Sequence, residues 1–274
     1  MSTSSIFRRH IALPQDHGSW VFILSPLLIG LFAGGQITLA TFPLILATMA
    51  GFLIRQPVTI LIKVYSGRRP KYDLRPAYFW TILYTVLGLV GLLCLILLGD
   101  SYVLYLALPG VPVFVWHLVL VSRRAERRQM GIEVVASGVL ALAAPAVFWV
   151  GTGGPDPLGW WLWLLTWLQS AASIVYAYLR LEQRDLPGIP DLSARLRMAQ
   201  RAILYTTFNL ALTIILSVVE VTPRLIPLPY AVQWAETLWG SLRPAIGVKP
   251  TRIGIRQLTV STLFTGLFII TWKL

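Results

Sequence analysis

The sequence predicts an all-α, polytopic membrane helix bundle of about nine transmembrane helices, with its N-terminus in the cytoplasm and its C-terminus outside. Three observations predict it. Hydrophobic residues make up 56% of the chain and charged residues 12%, with a mean hydropathy of +0.71, outside the range of soluble globular domains. Apolar windows of roughly 20 residues, the length of one helical crossing, recur along the whole chain. Lys and Arg are concentrated in every second connection, the pattern left by cytoplasmic loops.

Nine windows carry this reading, running approximately over residues 20–35, 37–54, 77–99, 102–121, 132–150, 158–179, 203–219, 225–242 and 253–272. Arg8 and Arg9 precede the first, and the connection "GGQ" after it is uncharged. "KVYSGRRPKYDLR" follows the second and a bare "GDS" follows the third; "SRRAERRQM" then precedes "GTGGPDP". Arg180, Arg184, Arg195, Arg197 and Arg201 follow the sixth window, and Arg243, Lys249, Arg252 and Arg256 surround the last connection. Only Arg55, Arg224 and Lys273 fall outside this set of cytoplasmic basic regions. The eighth window is the weakest because it contains Glu236, yet without it the basic loop at Lys249 faces outward.

The whole chain, residues 1–274, is expected to form one transmembrane domain, with residues 1–16 a short cytoplasmic tail and 180–200 an amphipathic cytoplasmic connection. The first span lacks an A-x-A cleavage site and is expected to stay as an anchor. The formal charge of +12 follows from the cytoplasmic bias alone, and no pattern indicates nucleic-acid binding. The single Cys94 excludes a disulfide framework or a cysteine metal cluster.

Arg55 and Gln56, followed by Pro57, come after a long uncharged run, and ionisable groups inside membrane helices are functional candidates. Pro57 is expected to end or kink the helix there. The same level holds His17 in "PQDHGSW", Glu133 at the start of the fifth span, and Lys249, Arg252 and Arg256 in "KPTRIGIRQ". Arginine offers a planar fork to phosphate or carboxylate and lysine a point charge, so this set suits an anion in one cytoplasm-facing cavity. His17 and Glu133 are the candidate catalytic groups; Arg55, Gln56, Lys249, Arg252 and Arg256 are the candidate anion-binding groups; no metal ligands are identified. His17 also reads as an interfacial histidine and Arg55 as a snorkelling side chain. His117, Tyr176 and Tyr178 read as packing or interface residues, and Glu236 is placed nearer the outer half, away from this set.

"DHGSW" at the first span, "RQP" after the second and "KPTRIGIRQ" before the last resemble the YwiC-like family of bacterial membrane proteins, over most of the chain. The architecture is more distantly similar to the UbiA-type membrane prenyltransferases. That resemblance implies carboxylates after the second and sixth spans that hold magnesium against a diphosphate. The corresponding stretches, "IRQPVTILIK" and "YAYLRLEQRDL", lack the Asp-rich motifs. The resemblances together imply a multi-pass protein of the bacterial cytoplasmic membrane, in contact with lipid, acting on an anionic, lipid-like or isoprenoid substrate without the usual Asp-Mg site. A carrier of a small anion and a non-catalytic assembly factor are the alternatives.

Overall fold

A computed structural model describes residues 6–14, 17–125 and 129–274, with His17 described in its backbone only. The described chain is helical. A single turn, α1 (Arg9–Ala12), precedes α2 (His17–Gly34), α3 (Thr41–Tyr65) and α4 (Leu74–Leu97). A 3-10 segment (Ser101–Ala107) leads into α5 (Gly110–Ser122); α6 (Met130–Ala141) and α7 (Ala143–Thr152) follow almost without a break. The remainder is α8 (Pro157–Gln183), α9 (Leu192–Val218), α10 (Pro227–Leu242) and α11 (Pro250–Lys273).

Seven of these segments are long and apolar enough to cross a bilayer, Ser101–Ser122 and Met130–Thr152 each counting as one. The apolar stretch Gly18–Gly34 and the 16-residue α10 are shorter, and they occupy the positions of the first and eighth predicted windows.

α2 is the organising helix, because it packs against α7 and α11 along most of its length and also touches α6 and α8. Small residues allow the close approach. A Cβ on Gly30 would fall onto the Ala144 carbonyl, and one on Gly34 would lie 3.0 Å from the Phe148 carbonyl oxygen. α3 and α4 pair in the same way at Gly91, where a Cβ would meet the Pro43 carbonyl oxygen at 2.7 Å. The main core lies between α2, α7, α8, α10 and α11, and contains Ile23, Phe148, Leu162, Leu165, Tyr230, Phe264 and Phe268.

Two sequence expectations change here. α3 does not end at Pro57 but runs on to Tyr65, so Arg55 lies inside a continuous helix. Proline removes only its own amide, leaving the Leu53 carbonyl without a helical donor, and the apolar run after it sustains the helix. The expected connection 180–200 is divided between the end of α8, a bend at 184–191 and the first turns of α9. Asp191 starts α9 as its N-cap, accepting the Ala194 amide at 3.0 Å.

Candidate functional site

The helix register fixes the level of the predicted residues. Ser25 meets Thr265 at 2.6 Å and the Lys273 ammonium lies 5.3 Å from the Phe32 ring, so α2 and α11 run parallel. Carried back to His17, that register arrives at Gln257, beside Arg256. Gly30 against Ala144 and Gly34 against Phe148 set α2 parallel to α7, and the start of α2 is then level with Gly131, two residues from Glu133. The Trp20 and Phe52 rings meet edge to face at 5.3 Å, and three residues onward along the antiparallel α3 is Arg55. His17, Arg55, Glu133 and Arg256 thus share one level of the bundle.

Sharing a level does not join them in one contact group. Glu133 accepts the Tyr178 hydroxyl at 2.8 Å on the side of α8 that faces α6, where Trp163 and Trp167 also donate to the Gly138 and Val134 carbonyls. Tyr176, two residues earlier, points to the opposite face of α8 and donates to Glu236 Oε1 at 2.9 Å. Arg256 closes on the same carboxylate with Nε at 2.6 Å and Nη2 at 2.7 Å. Its guanidinium carbon lies 3.8 Å from the centre of the Trp239 ring. Glu236 therefore belongs to the basic cluster, a correction to its placement in the outer half. One apolar turn of α10 on either side hides in the sequence that Glu236 faces α11. Tyr176 and Tyr178 likewise hold carboxylates, beyond the packing role expected of them.

Arg55 lies with its guanidinium carbon 5.6 Å from the Phe52 ring, and Gln56 donates Nε2 to the His10 carbonyl at 2.9 Å. Gln56 thereby fastens the N-terminal segment over the ends of α3 and α4. Tyr84 donates to the Ala12 carbonyl at 3.0 Å and Trp80 to the Ile6 carbonyl at 3.2 Å. Asp73, 2% exposed, takes Arg8 and Arg69 at 3.0 Å each. His117 lies 3.4 Å from the Thr59 hydroxyl. Lys249 caps α11 and Arg252 opens it, both exposed. The His17 side chain and two arginines of "SRRAERRQM", Arg127 and Arg128, lie outside the described residues.

Arg180 is the residue that sequence reasoning passed over, counting it only as loop charge. It is 7% exposed, and its Nη1 donates to Gln183 Oε1 at 2.8 Å and to the Gly240 and Arg243 carbonyls at 2.6 and 2.7 Å. All three acceptors are neutral. A buried guanidinium among neutral acceptors beside the Arg256 and Glu236 pair leaves this corner net positive. The four-residue step from Tyr176 to Arg180, on the face that packs against α10, was the available signal.

A buried polar ladder also runs through the middle of the bundle. Ser173 donates to Gln257 Oε1 at 3.0 Å and Gln233 to the Gln169 carbonyl at 3.0 Å. Asn209 donates to the Leu168 carbonyl at 2.9 Å, while its Oδ1 and the Oε1 of Gln233 have no hydrogen-bond partner. A groove of about 610 Å³ runs along α11, and a hollow of about 360 Å³ lies at the turn Ser217–Arg224.

A magnesium ion of the prenyltransferase kind does not fit the groups present. The stretches "IRQPVTILIK" and "YAYLRLEQRDL" hold Arg55, Gln56, Arg180 and Gln183 with only Glu182 and Asp185 as carboxylates, and no three His, Cys, Asp or Glu side chains converge among the described residues.

Against known proteins, the described fold superposes on a solved structure of digeranylgeranylglyceryl phosphate synthase in membranes, with a TM-score of 0.58 and 12% identity. The superposition covers 98% of this chain and 99% of that one, so the likeness is one of fold. In sequence, the chain is 24% identical over 179 residues to the uncharacterized protein YwiC of Bacillus subtilis (strain 168), covering 63% of this chain and 68% of that protein. The YwiC-like protein family matches residues 13–148, a range that holds "DHGSW" and "RQP" but stops short of "KPTRIGIRQ". With that sequence signature in its first half and an apolar helical bundle throughout, the chain is a multi-pass membrane protein similar to the YwiC-like family.

Proposed function

We propose that this protein sits in the bacterial cytoplasmic membrane and holds the anionic head of a lipid-like or isoprenoid substrate at the cytoplasmic ends of its helices. Transfer chemistry proceeds there with arginine and lysine in place of magnesium. In this reading Arg55, Gln56, Lys249, Arg252 and Arg256 bind the anion, and His17 and Glu133 exchange protons with it. The observation that carries it is the buried Arg180 beside the Arg256 and Glu236 pair, an excess of positive charge within a bundle of prenyltransferase fold. Guanidinium groups occupy both stretches where the related fold carries carboxylates, which suits direct binding of a phosphate-like head.

Mass spectrometry of lipids retained by the purified full-length protein tests this. The expected result is an anionic isoprenoid or lipid enriched over the membrane extract and lost in Arg55→Ala. A retained profile that matches the bulk membrane would count against the reading.

A second reading, a carrier of a small anion, draws support from the buried polar ladder at Gln169, Ser173, Asn209 and Gln233, because polar groups deep in a bundle suit a crossing pathway. Flux of inorganic phosphate or sulfate into proteoliposomes, absent from empty vesicles, would favour it.

A further inference from the structure

We propose that the groove along α11 is the seat of the hydrocarbon chain of a single-chain amphiphile with a phosphate-like head, the head resting on Lys249 and Arg252. This rests on the proposed function and names the class and position of its ligand.

Leu258, Leu263, Leu267 and Ile270 form the apolar walls of the groove, with Gly266 as a notch between them. Two threonines also line it, and Thr259 donates its hydroxyl to the Ile255 carbonyl at 3.0 Å, which turns that wall apolar in effect. From Leu258 to Ile270 the helix rises about 18 Å at 1.5 Å per residue, room for one extended chain. A Cβ on Gly266 would meet nothing within 4 Å, so the notch is open space.

The basic end is continuous with the groove. Steps of three and four residues lead from Arg252 through Ile255, Thr259 and Thr262 to Gly266 and Ile270, which places all of them on one face of α11. The opposite face carries Ile253, Ser261, Phe264 and Phe268, all buried against the bundle. Among the described residues, neither the Lys249 ammonium nor the Arg252 guanidinium has a hydrogen-bond or ion-pair partner. Arg256, one turn onward, already pairs with Glu236 through Nε and Nη2. Two uncompensated cations at the end of an apolar trough complement an anionic head joined to a chain.

The test measures retention of hexadecyl phosphate by the purified full-length protein, using native mass spectrometry. Hexadecanol, which lacks the charge, and inorganic phosphate, which lacks the chain, are the comparisons. The wild-type protein should retain hexadecyl phosphate in preference to both. Gly266→Phe, which fills the notch, and Arg252→Gln should each lower retention about tenfold with an unchanged melting temperature. Thr262→Trp fills the same groove from an exposed position and serves if Gly266→Phe does not fold. Equal retention of hexadecanol and hexadecyl phosphate would identify annular lipid only and overturn the proposal. Wild-type retention in both groove-filling variants would also overturn it, and loss in Arg55→Ala alone would then leave the proposed function standing without this groove. No retention by the wild-type protein would remove both.

Discussion

Arg256 grips Glu236 through two parallel hydrogen bonds, from α11 to α10, while the Trp239 ring covers the guanidinium. Tyr176 adds a third hydrogen bond to the same carboxylate from α8, so three helices meet on one acid. Glu236 is 12% exposed and Arg256 is 42% exposed, placing the pair between a buried and a surface ion pair. Glu236→Gln should therefore cost about 1.5–3 kcal/mol, the range of a hydrogen bond to a charged group. Combined with Arg256→Gln it should cost little more, because both substitutions remove one interaction. Unfolding in mild detergent measures the cycle; additive losses would show that the two residues act apart.

Asp73 holds the N-terminal segment down by taking Arg8 across the chain and Arg69 within its own loop. Its burial makes the pair hard to replace with water. Asp73→Asn should weaken the attachment by about 2 kcal/mol, the scale of a hydrogen bond to a charged group. The amides of Ile11 and Ala12 should then exchange at least tenfold faster, with α8 and α9 unaffected. Unchanged exchange at these amides would assign the attachment to Gln56, Trp80 and Tyr84 instead.

Membrane character and the order of the spans were legible because both depend on averages: apolar length and loop charge survive errors of a few residues. What was not legible is which face of a helix each side chain occupies. Glu236 lies in an apolar stretch whose partner, Arg256, is 20 residues away, and no local periodicity reports that contact. Arg180 sat in a run of basic residues that the loop-charge rule already explained, so its burial left no mark. Pro57 signalled a helix end, yet tertiary packing of Ile60 and Val64 against Ile11 and Ala77 carries α3 past it.

Close packing of α2 on α7 depends on the absence of a side chain at Gly30. Gly30→Val should cost about 3 kcal/mol or more, since the collision is with the Ala144 backbone, which cannot rotate away. Gly18→Ala, where nothing lies within 4 Å, should be neutral or slightly stabilising. Melting temperatures of the two variants in one detergent compare them directly; similar values would mean that α2 and α7 slide apart at little cost.

Asp191 responds to pH through its cap. Hydrogen bonds from the Ser193 hydroxyl and the Ala194 amide lower its carboxyl below the usual value. A lowered folded value means that the contribution is present above about 3.9, the unfolded value, and is lost as pH falls through the folded one. Amide exchange in the first turn of α9 should be constant from pH 7 to 5 after correction for intrinsic rates, and rise below pH 4. Asp191→Asn keeps a capping oxygen and should abolish that rise. Persistence of the rise in this variant would place the titration elsewhere.

Arg55 separates an anion-holding guanidinium from one that only reaches for water. It lies inside α3, against the Phe52 ring that Trp20 covers, at the level of Arg256. A planar fork stacked on a ring loses its geometry when replaced by lysine, although the charge stays. Arg55→Lys should therefore impair retention of the anionic ligand nearly as much as Arg55→Ala, about tenfold, with membrane abundance unchanged by immunoblot. A snorkelling side chain predicts the opposite, because lysine reaches interfacial water as readily as arginine. Pro57 sharpens the contrast. The Leu53 carbonyl, deprived of its helical donor, lies half a turn from Arg55 and adds a polar group on the same stretch of α3. Full retention by the lysine variant would reduce Arg55 to an interfacial charge and shift the anion site to Arg180 and Arg256.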